Sequence, residues 1–283
     1  MTGLPQPLSF LEVLVHDLGV VPALSGLCAG FELGKWRAKR FSEHLMEWLP
    51  EFALTYTELD ELDHSNALRF LRKAAQVIYN TDKYSRRGEF GELILHAVIR
   101  QTMQTFPAIS KVHFKDSAND TVKGFDCVHV VATQADLELW LGEAKFYADL
   151  SSAMNEAVSS LKKYFAADYL HSEFQAIVNK IDTGWPHADR LKQLLDPNTS
   201  LDQVFDVMCI PVLLTYDSDT VGGHAESTAA YKEAVVTELR AAHETFAGKD
   251  LPDIRVHLFL IPLGSKETLI AELHERLKAL QAA

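Results

Sequence analysis

The chain has 283 residues, with 27 basic against 39 acidic side chains, a net charge of −12, and 47% hydrophobic residues. This is the balance of a globular protein with a large core. Its negative field argues against indiscriminate coating of nucleic acid, because phosphate is repelled at long range. The longest apolar runs, such as 208–214 and 256–263, fall far short of the ~20 residues a membrane helix needs, and the N-terminus has no basic residue ahead of its apolar part, which makes a poor signal peptide. Cys28, Cys127 and Cys209 are scattered without a CxxC pair, so neither a zinc site nor a disulfide framework is expected, and the expected compartment is the reducing cytoplasm.

Taken in chain order, residues 35–49 have apolar residues at helical spacing, closed by Pro50, and residues 65–80 repeat the pattern with Ser65 as a candidate N-cap. Arg69, Arg72, Lys73, Lys83, Arg86 and Arg87 form the most basic stretch, against one acid, Asp82. Such a run is ordinarily a solvated helix face. It leads straight into GEFGE at 88–92, which makes Lys83, Arg86 and Arg87 the candidate contacts to nucleic-acid phosphate. Residues 88–105 predict a longer helix, bounded by Pro107.

The period then changes. Residues 110–115, 123–133 and 137–147 are rich in β-branched and aromatic residues with polar breaks between them, and predict three strands. A helix over 151–165 with Ser151 or Ser152 as cap follows, then one or two helices within 166–195. Residues 204–216 predict a buried strand, in which Pro211 suggests a bulge or a sheet edge. A helix over 226–246, a strand over 254–262 and a helix over 266–281 complete the chain. There are no repeats and no low-complexity linker. The order from residue 88 is that of a mixed α/β sheet flanked by helices, behind a mainly helical region over 1–80, so the expected division is 1–80 and 81–283.

The chemistry concentrates in two of these strands. If Gln134 and Ala135 form the tip of a hairpin, residues whose numbers sum to 269 face each other, and Asp126 faces Glu143. Directly opposed residues share a sheet face with Cβ atoms ~4.5–5.5 Å apart, and Lys145, two along from Glu143, shares it too. Two adjacent carboxylates repel unless a cation joins them. A hard divalent ion such as Mg²⁺ or Mn²⁺ suits such oxygen ligands; it would polarise a phosphoryl oxygen and lower the pKa of a bound water, with Lys145 placed to orient that water or stabilise transition-state charge. Glu89 and Glu92, at i and i+3 on one helical face with His96 a turn beyond, offer a further carboxylate. Acids in a first helical turn also offset the helix dipole, which by itself would explain both.

The ordered set of helix Glu, Gly-Phe-Asp on one strand, Glu-Ala-Lys on the next, then a helix, resembles the PD-(D/E)xK nuclease core. More narrowly, YSRRGEFGELILHAVIR, KGFDCVHV, LWLGEAKFY and IPVLLTYDSD resemble the HamA family, nuclease subunits of the bacterial Hachiman antiphage system, over about residues 36–280. Phe125 stands where the superfamily motif has Pro. The resemblance implies a restriction-endonuclease-like sheet, Asp126 and Glu143 as metal ligands, Lys145 as a catalytic residue, and Glu92 or Glu89 from the helix, with Glu92 favoured. It implies a Mg²⁺-dependent DNA endonuclease held in check by a HamB-like superfamily 2 helicase, for which residues 1–80 are the candidate docking region. A catalytically silent scaffold that regulates the helicase is the alternative, and a sequence-specific restriction-like enzyme a third reading.

Other signals point to structure. GLCAGFELGKW at 26–36 has the wrong spacing for a phosphate loop and reads as a turn and helix start. His113 and His129 lie in predicted strands, and Asp217 and Asp219 sit just past one, where turn roles dominate.

Overall fold

The computed structural model describes residues 6–78, 88–110, 124–132, 136–165 and 167–283. Its frame is a seven-stranded sheet made of β1 (Glu12–Asp17), β2 (Ala23–Cys28), β5 (Phe106–Pro107), β6 (Cys127–Ala132), β7 (Leu137–Phe146), β8 (Met208–Asp217) and β9 (Val256–Leu263), in the order β1-β2-β9-β8-β7-β6-β5. The four middle strands β2, β9, β8 and β7 run parallel, and each flank is antiparallel. A separate hairpin, β3 (Phe31–Glu32) with β4 (Lys35–Trp36), turns at Leu33 and Gly34, both at positive φ.

Helices cover both faces. The described helices are α1 (Ala38–Glu47), α2 (Leu49–Ala53), α3 (Tyr56–Asp60), α4 (Ala67–Ile78), α5 (Glu89–Met103), α6 (Leu150–Tyr164), α7 (Ala167–Val178), α8 (Ala188–Leu194), α9 (Leu201–Asp206), α10 (Asp219–Gly222), α11 (Ala229–Ala247) and α12 (Lys266–Ala282). On one face Val128, Val130, Leu139 and Leu141 pack with Ala153, Leu161 and Phe174 from α6 and α7. On the other, Cys127, Trp140 and Phe146 pack with Phe41, Phe70, Leu95 and Leu273 from α1, α4, α5 and α12. This double cover explains why MCIPVLLTY in β8 is buried throughout: a parallel strand inside the sheet has no wet face.

Most predicted elements are present with shifted ends, and four readings need correction. The first 80 residues are helical over α1–α4, but β1 and β2 precede those helices and extend the same sheet as β9. Their sequences, EVLVHD and ALSGLC, lack the sustained aromatic and β-branched pattern that marks a strand. Pro50 does not stop a helix but stands in the first turn of α2, where its missing N–H costs nothing. Pro211 lies in an interior strand rather than at an edge. The β7–β8 pairs run through Trp140–Cys209 and resume at Glu143–Val212 with the same offset, so the ladder lapses at Pro211 without a bulge. The cap of α6 is Asp149, whose side chain accepts the Ser152 N–H at 2.7 Å. The strand expected over 110–115 falls almost wholly, and the proposed hairpin tip at Gln134 and Ala135 entirely, outside the described residues.

Candidate active site

The β6–β7 ladder pairs Cys127 with Gly142, Val128 with Leu141, and so on to Ala132 with Leu137. Every pair sums to 269, the register expected from the sequence. Asp126 stands one residue before the ladder. Its N–H donates to the Gly142 carbonyl at 2.8 Å, and its Oδ2 accepts the Ala144 N–H at 2.7 Å. The carboxylate is thereby fixed against the peptide between Glu143 and Lys145. Gly142 is required at this crossing, because a Cβ there would lie 2.3 Å from Cys127 Sγ and 2.7 Å from a Leu95 methyl.

Glu143 and Lys145 share one face near the C-terminal end of β7. Glu143 is only 2% exposed and Lys145 17%, and Lys145 Nζ lies 2.6 Å from Glu143 Oε1. The other carboxylate oxygen, Oε2, accepts from the hydroxyl of Tyr164, the last residue of α6. Burial opposes the Lys145 charge, but Glu143, and behind it Asp126, outweigh burial and raise its pKa. Burial, followed by the Glu143 and Asp126 charges, also pushes the Tyr164 hydroxyl well above its ordinary value. Both groups therefore stay protonated donors facing a pair of carboxylates.

The structure brings Asp126, Glu143 and Lys145 together, but approaches the helix glutamates differently. Gly91, between them in α5, packs where a Cβ would meet Phe146 Cβ at 2.9 Å and Ala144 Cβ at 3.6 Å. Alternation along β7 puts those two residues on the face opposite Glu143 and Lys145. Glu89 and Glu92 thus rise from the other side of the sheet. Glu92 is buried and curls toward its own helix start, with Oε1 3.9 Å from the position of a Gly88 Cβ, where a carboxylate offsets the helix dipole. Among the described residues no group of three or more His, Cys, Asp or Glu side chains stands arranged to hold a metal ion. Lys83, Arg86 and Arg87 lie outside the described residues. Arg69 lies over the Phe70 ring and Lys73 pairs with Glu58, the ordinary roles of a charged helix face.

His96 belongs to a different, fully buried cluster. Its Nδ1 lies 3.2 Å from His129 Nε2, and its Nε2 lies 3.1 Å from Glu51 Oε2. Arg100 donates to both Glu51 oxygens at 2.9 Å and to the Thr105 carbonyl, while Thr105 Oγ1 meets His129 Nδ1 at 2.8 Å. Burial depresses both histidines below their ordinary pKa. The network anchors α5 to α2 and β6. His129 is structural as expected, and Asp217 accepts the Lys266 N–H at 2.5 Å, a capping role. Sequence reasoning missed Tyr164 and Glu51, since neither sits in a local pattern that announces its partner.

Fold and cluster together define a mixed α/β protein carrying two carboxylates and a lysine at the mouth of its central strands. A sequence model of the HamA family matches residues 9–277. The chain belongs to the HamA family. It is also similar to Anti-bacteriophage protein A of Escherichia coli (strain K12), at 21% identity over 257 residues, covering 88% of this chain and 46% of that protein. The chain thus spans about half the length of this curated relative. No described helix is long and apolar enough to cross a membrane.

Proposed function

We propose that this protein is a divalent-metal-dependent DNA endonuclease, with a restriction-endonuclease-like core, acting in the cytoplasm as an antiphage effector under the control of a partner helicase. The observation that carries the reading is the cluster itself: Asp126 fixed on the Ala144 peptide, with Glu143 and Lys145 paired on its two sides. Family membership and the name of the Escherichia coli relative support the defensive role. The HamA resemblance supports the helicase and DNA as partners.

The donor set fits Mg²⁺ or Mn²⁺. Mg²⁺ is commonly held by one or two carboxylates and keeps several waters, so Asp126 and Glu143 suffice without a closed protein cage. When bound, such a cation polarises a phosphoryl oxygen and lowers the pKa of a water. Lys145, held protonated beside both carboxylates, offers a positive charge to a phosphate that the acidic chain otherwise repels. Burial of Glu143 excludes bulk water from one side of the site. Glu92, or Glu89 in its place, would add a ligand only by reaching past the end of β7 from the opposite face.

The test is plasmid degradation with the helicase partner and Mg²⁺, in wild type and in Asp126→Asn, Glu143→Gln and Lys145→Met. Each substitution should lower the rate by about 10²-fold or more; full cleavage by any of them removes that residue from the site. A smear is expected, whereas discrete bands would favour a sequence-specific enzyme. The absence of a three-donor group among the described residues favours one other reading, a chemically silent scaffold that regulates the helicase. Unchanged phage protection in all three variants would select it.

A further inference from the structure

We propose that Tyr164 is a positioning residue for Glu143: its hydroxyl ties one carboxylate oxygen and so turns the other, the oxygen paired with Lys145, toward a divalent cation. The inference rests on the nuclease reading and adds to it a residue from the helix after the two strands.

Tyr164 reaches Glu143 from 21 residues away, at the end of α6, and donates to Oε2, while Lys145 holds Oε1. The ring is firmly placed. It lies 4.4 Å from the Phe125 ring, centroid to centroid, and stacks on Tyr169 at 5.4 Å. Its hydroxyl is also 3.5 Å from the Gly124 carbonyl. Gly124 and Phe125 lead directly into Asp126, so one side chain touches the segments that deliver both carboxylates. Against a carboxylate oxygen the phenol hydroxyl acts as the donor, and the packed ring fixes the direction of that bond. With Oε2 occupied by this donor, an entering cation and the Lys145 ammonium share Oε1. Glu143 is then held in one orientation before the cation arrives. Groups that orient a metal ligand in this way typically contribute ~10–100-fold to metal affinity.

The experiment is calorimetric titration of the full-length protein with Mn²⁺, comparing wild type with Tyr164→Phe, Tyr169→Phe and Glu143→Gln, with thermal unfolding in chelator to confirm that each variant folds. Tyr164→Phe keeps the ring packing and removes only the hydroxyl, and Tyr169→Phe removes the hydroxyl of the stacked ring, which makes no bond to Glu143. The expected result is a Kd weakened about 10-fold in Tyr164→Phe, unchanged in Tyr169→Phe, and binding lost in Glu143→Gln. An unchanged Kd in Tyr164→Phe, or equal weakening in Tyr169→Phe, overturns the positioning role while leaving the nuclease reading intact, provided Glu143→Gln abolishes binding. Failure of wild type to bind Mn²⁺ overturns both.

Discussion

Replacing Lys145 with Met separates the work of its ammonium from the work of the surrounding fold. Met retains most of the side-chain length and removes the charge that faces Glu143 Oε1 at 2.6 Å. Glu143 is 2% exposed, so its carboxylate cannot turn to water. Removing one partner of a buried ion pair costs ~3–5 kcal/mol. The lower end applies here, because Lys145 is 17% exposed and Tyr164 still donates to the other oxygen. An unfolding entropy of ~2.1 cal/mol/K per residue gives ~0.6 kcal/mol/K for a chain of 283 residues. A loss of ~3 kcal/mol then lowers the thermal midpoint by ~5 °C. The assay is thermal unfolding followed by circular dichroism in EDTA. The double variant Glu143→Gln with Lys145→Met removes the stranded charge while keeping an acceptor for Tyr164, and should recover part of the loss, since the penalty lies in the unpaired group. A single variant within about 1 °C of wild type, or a double variant no more stable than the single, would refute this account of the pair.

Two further outcomes follow from groups far from Lys145. Arg100→Met strands Glu51, whose two oxygens take both guanidinium bonds and whose other described partner is His96; at ~1% exposure for Arg100 the loss should fall in the upper part of the ~3–5 kcal/mol range, a midpoint drop of ~7–8 °C by the same assay. His257 is depressed to about 4 by burial and then by the nearby His16 charge. A histidine whose folded pKa lies below its unfolded value contributes fully above pH ~6.5 and loses that contribution as pH falls through about 4, which makes ~3 kcal/mol at ~1.36 kcal/mol per unit. Ser25 Oγ lies 2.8 Å from His257 Nε2, a contact that a glutamine amide can keep. Urea midpoints measured from pH 7 to pH 4 should fall along this limb, and less steeply in His257→Gln; parallel limbs in the two proteins would assign the acid sensitivity elsewhere.

By itself the sequence determined what depends on local spacing. Alternation with a period of two set which residues of 123–133 and 137–147 face each other, and the 269 register followed from the hairpin centre alone, because every side chain's face follows from its count along the strand. The same locality made α5, α6, α11 and α12 legible from their apolar period. Tertiary structure decided what depends on distant partners. Parallel strands meet only after a crossover, so nothing near ALSGLC announces that β2 will lie beside β9, more than 200 residues on. No spacing rule brings Tyr164 to Glu143, or Glu51 to Arg100, since each pair forms only when a helix is laid across the sheet. The side from which Glu89 and Glu92 approach was open for the same reason. It was settled by Gly91, whose missing Cβ lets α5 press onto Ala144 and Phe146, the face away from the carboxylates.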